Sequence, residues 1–317
     1  MRLFLLKGAL AGLALAVLVH LVEWGALVSA ARGARPGWAL GALALVPLNV
    51  ALEAYRYHLL VVRLAPEVRY GESLRAVVGA YPLGLLTPAR VGDYAGRALA
   101  LPQLRAWDAA ALTFAERMVT LACCLAFGLV ALAHFLLTRT AVATTAWLAV
   151  LWLGAFGTAA FLLVLLHPHL ARAVLETVLP FERVRPLVAF LDRLTPSDAH
   201  RLFGLSALRY AVFSTQFVLL VRALDPATSW AAIYAGVALV FFAKSALPSF
   251  TLGDLGVREG TAVYFLGAFG VAEAAALNAS LGLFVVNLLL PALAGLPLTL
   301  RLRPSLPKVP SFKAWPR

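Results

Sequence analysis

The sequence predicts an all-α fold: a polytopic membrane helical bundle of two inverted halves, each with one re-entrant or broken-helix hairpin. Three observations carry that expectation. Of 317 residues, 62% are hydrophobic and 13% charged, with a mean hydropathy of +0.88, a balance foreign to soluble domains. Several apolar runs reach the roughly 20 helical residues needed to cross about 30 Å of hydrocarbon. Finally, TPARVGDYAGR at Thr87–Arg97 returns as PSFTLGDLGVRE within Pro248–Glu259. Ten-residue segments of alternating polarity, the mark of a membrane barrel, are missing.

Taken in chain order, Leu3–Ser29 is the first expected crossing. Arg2 and Lys7 give it the look of a signal peptide, but its length and the lack of a small-residue cleavage site make it a retained helix. Trp38–Val62 brings the chain back. Ser73–Leu86 and Val91–Leu101 are too short to span and form a hairpin with its tip at Thr87–Gly92. Ala109–Leu137, Ala143–Leu166 and Leu202–Val221 cross in turn. Trp230–Leu247 and Val257–Gly270 then form a second hairpin, with its tip at Pro248–Gly256, entering from the opposite face as inverted repeats do in carriers. Ala274–Leu300 crosses last. The reading gives six crossings and two hairpins, or eight crossings if Trp230–Leu247, which is long enough, spans alone. One domain fills residues 1–317, with repeat halves 1–166 and 202–300. Between them the segment 167–201 lies on the cytoplasmic surface, where Ala171–Leu179 and Pro186–Leu194 read as short helices.

Charge sets the orientation. The net charge is +12, and with a cytoplasmic N-terminus the inner segments carry 18 Lys or Arg against 4 outside. This positive-inside bias puts both termini in the cytoplasm of a multi-pass inner-membrane protein. Basic residues dispersed over short loops exclude a nucleic-acid partner and favour anionic lipid at the inner surface. Cys123 and Cys124 are adjacent and lack metal-site spacing, and the six His are scattered, so neither a metal nor a cofactor is expected. No Ser-His-Asp or metal-hydrolase motif and no ATP-binding loop is present, which favours a transporter over a chemical catalyst.

The candidate site grows from the two motif copies. Pro88 and Pro248 interrupt helices, while Gly92, Gly253 and Gly256 permit a sharp turn or a close backbone approach. Backbone that leaves the helix at membrane depth must be buried in protein or line a wet cavity. Asp93 and Arg97 are four apart, as are Asp254 and Arg258, so each pair is placed to share a helix face and partly neutralise itself. Further charges stand in apolar helices: Glu53 and Arg56 three apart, Glu116 and Arg117 adjacent and needing separate partners, Arg209, Lys244 and Glu259. Charge at that depth costs several kcal/mol, of order 3, unless paired or hydrated. A cavity lined by guanidinium forks suits a phosphate headgroup. The opposing interpretation has the Asp/Arg pairs only brace the hairpins, with Arg56, Arg209 and Lys244 snorkelling toward headgroups.

At these residues the chain resembles the membrane region of lysylphosphatidylglycerol synthases and the stand-alone flippase-like proteins that share it. The likeness covers nearly the whole chain and rests on YPLGLLTPARVGDYAGRAL at Tyr81–Leu99, AERMVT at Ala115–Thr120, the Arg56 helix, and ALPSFTLGDLGVREG at Ala246–Gly260, whose Gly256, Arg258 and Glu259 match the end of the family's second motif. Two departures concern Asp93, where Glu is frequent, and Ser249-Phe250, where small glycines are usual. The resemblance implies movement of a polar or anionic lipid between leaflets, without licence for lipid lysylation because the aminoacyltransferase domain has no counterpart here. The alternative is a membrane scaffold or partner for a separate lipid-modifying enzyme, and a homo-oligomer is compatible with either.

Overall fold

The computed structural model describes residues 28–29, 32–87, 89–139, 144–178, 188, 190–246 and 256–301. Throughout them the regular structure is helical and no β-sheet occurs. The first described helices are α1 (Pro36–Ala44) and α2 (Val46–Val61). Pro36 starts α1 and Pro47 sits in the first turn of α2, positions where a missing N–H costs nothing. The expected single run therefore forms two consecutive segments that together reach 26 residues. Next come α3 (Tyr70–Leu85) and α4 (Gly92–Ala100), too short to span and packed against each other. Helix α5 (Ala106–Arg139) is the longest, at 34 residues, and is followed by α6 (Thr144–Leu166) and the short α7 (Pro168–Val178).

In the second part α8 (Pro196–Leu224) opens with a capping box, Thr195 and Asp198 satisfying each other's backbone N–H. Helix α9 (Trp230–Ala246) and helix α10 (Val257–Ala268) pack on one another as α3 and α4 do. Helix α11 (Glu273–Phe284) continues through a π turn at Val285–Leu289 into α12 (Leu290–Thr299). Among the described residues, five helical stretches are long and apolar enough to cross a membrane: Pro36–Val61, Ala106–Thr138, Trp147–Leu166, Pro196–Leu224 and Glu273–Thr299. The protein is thus a polytopic membrane bundle. Of the run Trp230–Leu247, α9 covers Trp230–Ala246, 17 residues or about 25 Å at 1.5 Å per residue, and Leu247 lies outside the described residues. The expected crossing Leu3–Ser29 and most of Pro186–Leu194 lie outside the described residues.

Two apolar clusters organise the packing. One gathers α2, α3 and the start of α5 around Tyr57, Leu60, Val77 and Leu112, and α12 joins it through Ala292. The other gathers α8, α9, α10 and α11 around Phe217, Val237, Leu266 and Ala276, and takes in Ala42 of α1 and Cys123 and Cys124 of α5. Helix α5 therefore contributes to both. Asp225 fastens the second region from outside the helices, accepting from the N–H groups of Ala227 and of Ala272, so the α8–α9 and α10–α11 turns share one carboxylate. Helix α6 contrasts with all of these. None of its most apolar stretch is buried, and Trp152 and Phe156 point outward, a face solvated by acyl chains rather than water.

Candidate functional site

The buried charges converge where α2, α4, α5 and α8 meet. Arg97 on α4 stands at the centre: Nη2 donates to Glu53 Oε1 at 2.6 Å and Nη1 to Glu116 Oε2 at 2.5 Å. Its guanidinium also lies 4.7 Å above the Tyr57 ring, a cation–π contact. The other Glu53 oxygen accepts from Arg209 and from the Tyr81 hydroxyl, both at 2.7 Å. Arg56, fully buried at 0% exposure, donates to the Glu116 carbonyl and to Thr120 Oγ1, each at 2.8 Å, and lies 3.5 Å from Glu116 Oε1. Five side chains on four helices thus form one continuous ion network.

Beside it stands the link between α3 and α4. Thr87 Oγ1 accepts from the Gly92 N–H at 2.6 Å. Gly92 packs so tightly that a β-carbon there would overlap the Leu83 carbonyl, which is why the sequence needs glycine at this turn. Ala89 and Arg90 adopt φ of 51° and 54°, a left-handed conformation that L-residues adopt at a cost. Arg117 braces them, donating to the Ala89 and Arg90 carbonyls and to Asp93 Oδ2. Arg90 reaches the same carboxylate oxygen at 2.9 Å.

The described end of the second motif, residues 256–259, is satisfied locally. Gly256, at φ 92°, occupies a conformation open chiefly to glycine, and its N–H donates to Glu259 Oε2 at 2.7 Å. Glu259 Oε1 receives Arg258 Nη2 and the Ser280 hydroxyl, while Arg258 Nε donates to Ser280 Oγ at 3.0 Å.

Both regions border a cavity of about 410 Å³. Among the described residues its lining holds six cationic side chains, Arg90, Arg97, Arg117, Arg209, Lys244 and Arg258, against three carboxylates, Glu53, Asp93 and Glu116, a formal surplus of three positive charges. Asn49 and Asn287 line it too, joined by a 3.0 Å amide hydrogen bond.

The family model for the lysylphosphatidylglycerol synthase TM region matches residues 4–295. The chain belongs to that family. None of the curated proteins compared with it matches the chain. Membership in the lysylphosphatidylglycerol synthase TM-region family, with buried charge in a membrane bundle, makes this a lipid-handling membrane protein.

Within this family member the expected site residues are distributed unequally. Glu53, Asp93, Arg97, Glu116, Arg117, Lys244 and Arg258 border the common cavity, with Arg56 and Glu259 buried behind it as partners of Glu116 and Arg258. Pro88, Pro248, Gly253 and Asp254 lie outside the described residues. Corrections concern pairing. Asp93 and Arg97 do not neutralise each other: Asp93 binds Arg90 and Arg117, while Arg97 turns to Glu53 and Glu116. A nine-residue helix packed between neighbours lets carboxylates on other helices outcompete the i,i+4 partner. Arg56 and Arg209 do not snorkel; both end on buried carboxylates. Glu116 and Arg117 do find separate partners, as adjacency demands.

Four participants were not anticipated as site residues: Asn49, Tyr81, Ser280 and Asn287. Of these, Asn49 and Asn287 carried a legible signal, since each is an amide within a long apolar helix, where a polar group needs a partner.

Proposed function

We propose that this protein moves a polar lipid with an anionic headgroup between membrane leaflets, and that the headgroup passes through the Arg-lined cavity while the acyl chains stay in hydrocarbon. The observation that carries this reading is the surplus of three positive charges around the cavity. In a medium of low dielectric such a surplus is self-repelling, and a phosphate relieves it with geometry that guanidinium forks match. Arg97 and Arg258 engage the headgroup in alternation. The α3–α4 and α9–α10 pairs act as two oppositely inserted re-entrant hairpins, one in each of two inverted halves, 1–166 and 202–300. Both chain termini face the cytoplasm, in keeping with the basic inner loops. The carboxylates Glu53, Asp93 and Glu116 hold the empty cavity together and keep it from becoming a permanent anion trap.

The test is transbilayer movement of fluorescent phosphatidylglycerol in proteoliposomes. Lys244→Gln and Arg258→Gln each remove one lining charge and should slow movement about tenfold or more, the weight of a charge-assisted hydrogen bond. Unchanged movement with both variants folded would overturn the assignment.

A further inference from the structure

Resting on that transport reading, the oxygen acceptors around the cavity say which headgroup it prefers. Glu53 gives Oε1 to Arg97 and Oε2 to Arg209 and Tyr81. Glu116 gives Oε1 to Arg56 and Oε2 to Arg97. Asp93 gives Oδ2 to Arg90 and Arg117; its Oδ1 accepts no hydrogen bond but is turned against Gly84, so close that a β-carbon there would overlap it. An incoming ammonium group therefore meets carboxylate oxygens already held by guanidinium or turned against backbone. It also enters a lining with three surplus positive charges.

Besides Asp93 Oδ1, one neutral acceptor in the lining lacks a donor. Asn49 is only 3% exposed, its Nδ2 donates to Asn287, and its Oδ1 accepts no hydrogen bond. A buried amide oxygen without a donor is costly, and the cost disappears when a ligand supplies one. Its partner Asn287 stands in the π turn at Val285–Leu289, a helix distortion frequent at functional sites. The free acceptor is neutral, so it calls for a hydroxyl rather than a cation.

We infer that the cavity selects an anionic headgroup that also carries a hydroxyl, the phosphoglycerol or sugar-phosphate class, that Asn49 and Asn287 read the hydroxyl, and that a cationic aminoacylated headgroup is disfavoured. The arginines hold the phosphodiester and the amide pair holds the alcohol. The specificity of this chain then differs from what the lysylated lipid in its family's name suggests.

The full chain, reconstituted in phosphatidylcholine vesicles, is supplied with trace fluorescent phosphatidylglycerol, phosphatidylpropanol, phosphatidylethanolamine or lysylphosphatidylglycerol. Phosphatidylpropanol keeps the phosphodiester charge and lacks the alcohol. Phosphatidylglycerol should move about fivefold faster than phosphatidylpropanol, the worth of one neutral hydrogen bond, and the two ammonium-bearing lipids slower still. Asn49→Leu should shrink that fivefold ratio toward one, a readout that loss of folded protein does not move. Asn49→Asp supplies an unclaimed carboxylate and should raise lysylphosphatidylglycerol relative to phosphatidylglycerol. Faster movement of the lysylated lipid by the unsubstituted protein overturns the inference, as does an unchanged ratio in Asn49→Leu.

Thermal stabilisation of detergent-solubilised protein by the same four lipids separates this inference from the transport reading. If no lipid moves but phosphatidylglycerol stabilises best, transport fails and the headgroup preference stands. If the lysylated lipid stabilises best, the preference fails. Glycerol 3-phosphate should stabilise less than phosphatidylglycerol at equal concentration; equal stabilisation would make the ligand a soluble phosphate ester and overturn the lipid assignment.

Discussion

The two charged regions meet the same requirement, a guanidinium kept at membrane depth, over different distances. Around Arg97 the members of the network come from α2, α4, α5 and α8, with Glu53 and Arg209 separated by 156 residues. Among the described residues around Arg258, the carboxylate is the next residue in the chain, and the contacts beyond α10, Ser280 and the Phe284 ring, both lie on α11. The first arrangement fixes how four helices sit together; the second fixes one helix start against one neighbour. The difference teaches that a buried ion network acts as architecture when its members come from different helices. It acts as local satisfaction when they are adjacent. Removing one member of a buried pair is severe because it strands the other, so damage should follow the number of partners left behind.

Glu116→Leu gives the largest expected effect. It strands both Arg56 and Arg97, which are 0% and 3% exposed, and should cost about 3–5 kcal/mol, read as a lowered thermal unfolding midpoint in detergent. Glu259→Leu strands only Arg258 and uncaps Gly256, and should cost about 2–3 kcal/mol. Equal losses would break the comparison between the two regions.

A double-mutant cycle sharpens it further. Glu53 and Glu116 share Arg97, so Glu53→Gln combined with Glu116→Gln should depart from additivity by about 0.5–3 kcal/mol. Glu53 and Glu259 share no partner among the ion pairs of the described residues, and their cycle should close within about 0.5 kcal/mol. Strong coupling in the second cycle would mean that the two regions form one network through the cavity.

Much of this was legible in the sequence because membranes simplify the rules. The long spans and the break between α3 and α4 follow from run length, Gly and Pro. Cost alone singled out Glu53, Arg56, Glu116 and Arg209, since charge in an apolar run requires an explanation. Their partners could not be read, because pairing depends on which helices pack side by side. The sequence spacing offered Asp93 to Arg97, whereas the bundle offered Glu53 and Glu116 on two other helices. Tyr81 and Ser280 were invisible for a related reason: a hydroxyl is common in membrane helices, and only the neighbouring carboxylate gives it a role.

The smallest effect belongs to the link before α4. Ala89 and Arg90 hold positive φ, and left-handed backbone costs an L-residue about 1–2 kcal/mol. What keeps them there is Arg117, which grips both of their carbonyls and Asp93. Arg117→Ala should therefore cost about 1 kcal/mol and speed amide exchange at Arg90 and Asp93, whose N–H groups close the turn. Ala89→Gly removes one source of the strain that Arg117 opposes, so in that background the loss on Arg117→Ala should shrink. If the loss is the same in both backgrounds, Arg117 acts on Asp93 alone, and the brace belongs to the ion network rather than to the strained link.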